Sequence, residues 1–297
     1  MDTIIETIPN FSEGRNLQTL AAIRDVFETA ADVILLEDSS DSDHNRSVFT
    51  AIGTPQAIAD ALLCAAGIAI QQIDLNHHRG KHPRIGAVDV IPLVPLKNIS
   101  MDACVSLSRQ IGRRLWEKYQ LPVYLYEASA ENPEHVNLAD IRRGEFEGLA
   151  RKMEQPEWRP DFGNDKPHPT AGAVVLGARK PLIAYNILLD TQDLGIAKAI
   201  ARQIRESSGG FPCVKALGIE LTKRRKVQVS INMTDYTVTP LYRVFDLVSQ
   251  EAERQGTRVL CSELIGLAPM AALADAAAHY LKIENYTFQK VLESHYI

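Results

Sequence analysis

At 297 residues the chain is long for one hydrophobic core and comfortable for two domains of about 150 residues each. It is 45% hydrophobic and 23% charged, an ordinary soluble composition, and its net charge of −5 argues against a nucleic-acid footprint while leaving room for a local basic pocket. Its four cysteines lie far apart, no apolar run approaches a membrane span of about 18 residues, and the opening M-D-T-I-I-E-T lacks a leader's basic and apolar regions, so a reduced cytoplasmic protein is expected, without disulfide frame, zinc cluster or membrane partner.

Residues 3–9 alternate and end at a proline, which predicts a strand. After the turn 10–14, Leu20, Ile23, Val26, Phe27 and Ala30 fall at helical spacing within 17–30. Strands follow at 33–37 and 47–53, with the polar run 39–45 as a loop between them. Thr54-Pro55 opens a helix that runs to about residue 72, with proline at the first position where its missing N–H costs nothing. A strand at 86–94 completes the order β-α-β-β-α-β, the split βαβ or ferredoxin-like arrangement. A helix at 101–119, a strand at 122–126 and helical pieces at 136–142 and 144–153 extend this unit.

The stretch 155–170 holds four prolines and a glycine, and reads as a linker or a binding loop. Beyond it come strands at 171–177 and 181–189, a helix at 191–207, and strands at 214–222 and 227–233 around the basic turn 223–226. A helix at 240–255, a strand at 259–263 and a helix at 270–279 close the chain, so the β-α-β-β-α-β order recurs from residue 181. The expected fold is α/β (α+β): two tandem ferredoxin-like split βαβ subdomains, 1–178 and 179–297.

The chemistry concentrates in residues 76–95. His77, His78 and His82 alternate there with Arg79, Lys81 and Arg84, directly ahead of the apolar run from Ile85 to Val94. A histidine loop fed into a rigid strand suits acid–base work, because the strand fixes the backbone and an imidazole titrates near neutrality. Pro83 restricts His82 further. Metal binding is not expected, since no acidic or thiol ligand is near and three cations flank the histidines. A solvated basic loop is the competing reading.

Residues 10–14 are placed to offer backbone N–H groups to a carboxylate, and residues 39–46, ending in Asn45 and Arg46, to touch substrate; turn chemistry and solvation account for both equally. Trp158 and Phe162 either stack on a flat heterocycle or plug a junction. From the residues alone the reading stops at a two-domain α/β enzyme with a basic histidine loop.

Six stretches carry a resemblance: I-P-N-F-S-E-G-R-N (8–16), D-H-N-R-S-V-F-T (43–50), H-P-R-I-G-A-V-D-V (82–90), L-P-V-Y-L-Y (121–126), P-D-F-G (160–163) and G-A-R-K-P-L-I-A-Y-N-I (177–187). In this order, over nearly the whole chain, they resemble the glutamate formimidoyltransferase family and the transferase half of formimidoyltransferase-cyclodeaminase. With the chain ending at residue 297, transferase activity alone is expected.

The resemblance implies transfer of a formimidoyl group from N-formimidoyl-L-glutamate to N5 of tetrahydrofolate, the co-substrate, in histidine breakdown. It implies two subdomains with a ligand tunnel between them, a homodimer, His82 as catalytic residue, and a folate stretch over Gly163, Asn164, Asp165, Lys166, Pro167, His168, Pro169, Thr170, Ala171 and Gly172. Asn10, Asn45, Arg46, Arg79 and Arg84 are then expected to hold substrate, the arginines and Lys81 taking carboxylates. This chain departs from the bifunctional relatives at N-D-K-P-H-P-T (164–170) and at Ser39, where they carry aspartate and where Asp41 or Asp43 is the candidate substitute. Formyl transfer between 5-formyltetrahydrofolate and glutamate, and a non-catalytic folate-binding role, stand as alternatives; an RNA-binding tandem is disfavoured by charge.

Overall fold

The computed structural model describes residues 3–295, so the outermost ends of the two expected domains, 1–2 and 296–297, lie outside the described residues. Contacts divide the chain into two units, Met1–Arg179 and Lys180–Ile297.

In the first unit Pro9 splits the expected first strand, because proline brings no donor to a ladder. The chain forms β1 (Ile4–Thr7) and then re-enters the same sheet as β2 (Asn10–Phe11). Helix α1 (Leu17–Thr29) starts where the Asn16 side chain accepts from the N–H groups of Gln18 and Thr19. Strand β3 (Val33–Asp41) runs further than its apolar residues suggested, and pairs with β4 (Arg46–Gly53) as far as Asp41 opposite Arg46. Residues 39–41 of the polar run expected as a loop at 39–45 are therefore strand, and 42–45 form the turn. Backbone groups make the ladder, and on an outer strand polar side chains face water at little cost.

Helix α2 (Pro55–Gln72), strand β5 (Val88–Lys97), helix α3 (Met101–Tyr119), strand β6 (Val123–Leu125), helices α4 (Leu138–Arg142) and α5 (Glu145–Met153), and strand β7 (Val174–Ala178) complete the unit. β1 and β2 lie between β4 and β5 in antiparallel register, and β5, β7 and β6 continue the sheet in parallel. One face packs Ile5, Phe27, Phe49, Leu62, Ile91 and Ile111 against α1, α2 and α3. The other packs Val90, Tyr124 and Val175 against Ile141, Leu149 and Met153 of α4 and α5. Each such side chain contributes about 1.5–3 kcal/mol by leaving water. The short α4 and α5 therefore have a firm seat, and they flank the histidine loop.

The second unit contains β8 (Ile183–Leu189), α6 (Leu194–Ile204), β9 (Val214–Leu221), β10 (Lys226–Met233), α7 (Leu241–Arg254), β11 (Val259–Ile265) and α8 (Met270–Tyr280). Its sheet, ordered β11-β8-β10-β9, is antiparallel throughout. Alternate residues of β8 and β10, among them Ile187, Val229 and Ile231, are buried against Ile200 of α6 and Val244 and Val248 of α7, as a period of two requires. The fold is thus a mixed α/β one. Among the described residues no helix is long and apolar enough to cross a membrane.

Candidate active site

The histidine loop is held by the turn it packs on. His78 is buried; its Nε2 faces the Asn45 carbonyl at 2.9 Å, and its Nδ1 accepts from Arg84 Nε at 3.1 Å. These partners place the proton on Nε2 of a neutral ring, and burial pushes its pKa below the ordinary value. Asn45, at φ +50°, accepts from Gly14 N at 3.0 Å and donates to the Arg79 carbonyl at 3.2 Å, tying the two turns together. Gly80 is required by the closeness of this contact, since a Cβ there would lie 2.1 Å from the His44 carbonyl oxygen.

Arg84, expected to hold substrate, has protein partners. It is buried and its guanidinium is occupied, reaching Glu145 at 2.7 Å and both oxygens of Glu147 at 2.7 and 2.9 Å. These bonds fasten α5 to the loop. Arg79 is exposed and donates to the His78 carbonyl at 2.7 Å. A cleft of about 430 Å³ is lined by His78, Arg79, Gly80, Arg84, Glu145 and Glu147 among others; His82 is not on its wall.

His82 is half-buried, and no side chain or backbone group among the described residues hydrogen-bonds its ring. Burial first, then the charges of Arg46 and Arg142, push its pKa down to about 3, opposed by Asp89. The imidazole is therefore neutral across the physiological range. Arg46 opens β4 and donates through Nη2 to the Asn10 side-chain oxygen; burial and then Arg142 lower its pKa to about 10. Asp89, buried in β5, accepts from Ile85 N at 2.9 Å and from Arg142 Nη2. In the β3–β4 turn, Asp41 accepts from the Asp43 and His44 N–H groups at 2.8 and 2.9 Å and faces His44 Nδ1 at 2.8 Å.

Arg142 and Asp89 escaped the sequence reading. A single aspartate inside the apolar run 85–94 was the available signal, since a carboxylate there must find a partner. Arg142, the last residue of a five-residue helix, gave no comparable sign.

The stretch 163–172 divides into two parts. Residues 163–166 are exposed, and Gly163 follows Phe162, which pairs with Val123 and packs beside Gly112 of α3; a Cβ on Gly163 would sit 3.4 Å from the Trp116 ring. The later part is stitched to the histidine loop. Leu75 N donates to the Thr170 carbonyl at 2.8 Å, Asn76 Nδ2 to that of Pro169 at 3.0 Å, and Ala87 N to that of Ala171 at 3.0 Å. His168 Nδ1 accepts from Ala171 N at 3.1 Å, and burial lowers its pKa. Gly172, at φ +67°, lies where a Cβ would come within 2.0 Å of the Ile85 carbonyl oxygen, so no side chain fits.

Trp158 has a partner inside the first unit. Lys152 Nζ stands 3.8 Å over its ring and donates to the carbonyls of Asp140, Ile141 (2.8 Å) and Arg143 (3.2 Å). Burial, then Arg143, lowers the Lys152 pKa to about 8. Asp161 of P-D-F-G accepts from Leu125 N at 2.7 Å and faces the buried His135 at 3.2 Å, fixing the start of the stretch to β6.

The α/β scaffold thus sets a half-buried imidazole beside the partly buried guanidiniums of Arg46 and Arg142. Residues 4–179 match the model of the formiminotransferase domain, N-terminal subdomain, and residues 184–297 that of the formiminotransferase domain. The chain belongs to the formiminotransferase family. It is 45% identical to the glutamate formimidoyltransferase of Streptococcus pyogenes serotype M1, covering 99% of both chains. It is 41% identical to that of Thermoplasma acidophilum, covering 98% of this chain and 96% of the relative. With the formimidoyltransferase-cyclodeaminase of Rattus norvegicus it shares 41% identity, over 96% of this chain and 54% of that protein.

Proposed function

We propose that the protein is a one-carbon transferase that moves the formimidoyl group of N-formimidoyl-L-glutamate to N5 of tetrahydrofolate, giving 5-formimidoyltetrahydrofolate and glutamate in histidine degradation. The observation that carries this is the end-to-end match with glutamate formimidoyltransferases, in a chain whose half-buried His82 ring is left unbonded and neutral beside Arg46 and Arg142. N5 attacks the formimidoyl carbon, an N–C bond forms, and the tetrahedral centre collapses by breaking the bond from that carbon to the glutamate nitrogen. The proton lost by N5 must reach the departing nitrogen, and one imidazole acts first as base and then as acid. We assign that proton to His82. Arg46 and the exposed Arg79 supply charge for donor and folate carboxylates, while Asn10 and Asn45 hold Arg46 and the loop in place. Residues 163–172 form the folate-binding stretch, its later half joined by hydrogen bonds to the segments on either side of His82.

The proposal extends to the tandem ferredoxin-like units with the family's ligand tunnel, and to a cytoplasmic homodimer. The test is an absorbance assay with formimidoylglutamate and tetrahydrofolate, acidified at intervals to convert product to methenyltetrahydrofolate. Product from wild type supports the reading. If 5-formyltetrahydrofolate and glutamate react while formimidoylglutamate does not, the donor is wrong; no reaction with either, with folate bound, leaves a binding protein.

A further inference from the structure

The corner around His82 is short of negative charge. Arg46 at the start of β4 and Arg142 at the end of α4 lie close enough to depress each other's neighbour His82, and Arg142 weakens the basicity of Arg46. Two carboxylates act on them, and both are engaged: Asp41 by the Asp43 and His44 N–H groups and His44 Nδ1, and Asp89 by Ile85 N and Arg142. Arg46 has the neutral Asn10 oxygen instead. The Nε of each arginine is buried without a partner among the described residues. A buried donor without an acceptor costs about 1–3 kcal/mol, and two in one corner mark a place where an anion is missing. Planar forked donors match a carboxylate better than any single ammonium would.

We propose that Arg142, together with Arg46, binds a carboxylate of the amino-acid donor, and that Asp89 is the positioning residue that aims Arg142 at it. The inference rests on the transfer reading above and adds the residues that recognise the donor. Its geometry is economical: residues 82–89 carry both the proton carrier and, through Asp89, the aim of Arg142. The far end of α4 is held as well, since Lys152 grips the carbonyls of Asp140, Ile141 and Arg143 around Arg142.

A consequence follows for the chemistry. His82 is faced by Arg46 from β4, Arg142 from α4, Asp89 from β5 and His44 from the β3–β4 turn, and the cations outweigh Asp89. Burial first, and that field second, leave the ring neutral but a weak base. A carboxylate seated on the two arginines offsets their share of the depression and raises the ring's basicity, which aids acid–base exchange. The donor thereby activates the group that handles its proton; tetrahydrofolate alone does not.

The experiment uses the full chain as wild type, Arg142→Gln and Arg142→Lys. L-Glutamate, the product that retains both carboxylates, is titrated by calorimetry, and initial rates are measured against each substrate. Arg142→Gln is expected to weaken glutamate binding and raise the KM for formimidoylglutamate by about tenfold or more, with the KM for tetrahydrofolate within about threefold of wild type. Arg142→Lys, which keeps the charge but not the fork, should fall between. In wild type, the His82 ring resonances should titrate at higher pH once glutamate is bound. Unchanged glutamate affinity in Arg142→Gln overturns the proposal, as does a KM effect confined to tetrahydrofolate, which would place the folate tail there. If Arg142→Gln does not fold, the wild-type His82 titration decides, and an unmoved titration overturns the proposal. A wild type that binds glutamate through Arg142 but transfers nothing would sink the transfer reading and leave the carboxylate pair standing.

Discussion

The two units each build a sheet packed by helices, yet the first buries far more polar side chains than the second. Its interior admits His78, Arg84, Asp89, Asn10 and Asn45, whereas the buried polar groups described in the second are Asp235, Thr239 and Glu251. Both have adequate apolar cores, so the difference is not one of folding need. Burying ions is costly unless each is answered, and the first unit answers most of them pair by pair, leaving His82 and two arginine Nε atoms open. Where one unit of a chain accepts that cost for many polar groups and the other for few, the costly unit is the one to search for chemistry.

This contrast can be broken or sharpened in graded steps. The largest effect should come from His82→Ala, which we expect to lower turnover by about 10²–10⁴-fold while both substrates still bind; near-normal rates in the transfer assay would end the assignment. Next, in the plain unit, Ile187→Ala should cost about 2–5 kcal/mol of stability, read from urea unfolding, because it empties a fully buried site on β8. Gly172→Ala should cost about 1–3 kcal/mol through its left-handed backbone and its clash with Ile85, and should weaken folate binding measured by fluorescence titration.

A smaller effect concerns acid. In the unfolded chain His82 takes up a proton near the ordinary value of about 6.5, whereas in the fold it stays neutral down to about 3. Between those limits the unfolded state binds more protons, so stability falls as pH falls. His82→Gln should therefore lose less Tm than wild type between about pH 6.5 and 4.5, above the range where most carboxylates titrate. At the bottom of the scale, Arg114→Ala removes a 2.7 Å ion pair with Asp60 that is about half exposed at both ends, and should change stability by less than about 1 kcal/mol.

Much of the framework was legible from periodicity and punctuation. Pro55 opened α2, the apolar run up to residue 189 marked β8, and the proline-rich stretch 155–170 proved free of long elements. Strand ends misled wherever backbone pairing overrode side-chain character, as at Ser39 to Asp41. Within the site, His82 and Arg46 announced themselves by neighbours in sequence, but the use of each arginine did not. Arg84 and Arg142 are indistinguishable on paper. One is occupied by two glutamates from α5, whereas the other bonds Asp89 of β5 and keeps a buried Nε without an acceptor among the described residues.

The chain has just two tryptophans, and their surroundings make them optical reporters of different things. Trp158 lies under the ammonium of Lys152, whose other contacts clasp the turn that ends in Arg142, so its emission should register any loosening of that helix. Trp116 borders Gly163, at the head of the segment proposed to hold folate. Replacing either with phenylalanine would leave a chain with a single tryptophan, which can be excited apart from the nine tyrosines at the red edge of its absorption. Stopped-flow traces of the pair could then time donor capture and folate capture separately, with no label attached.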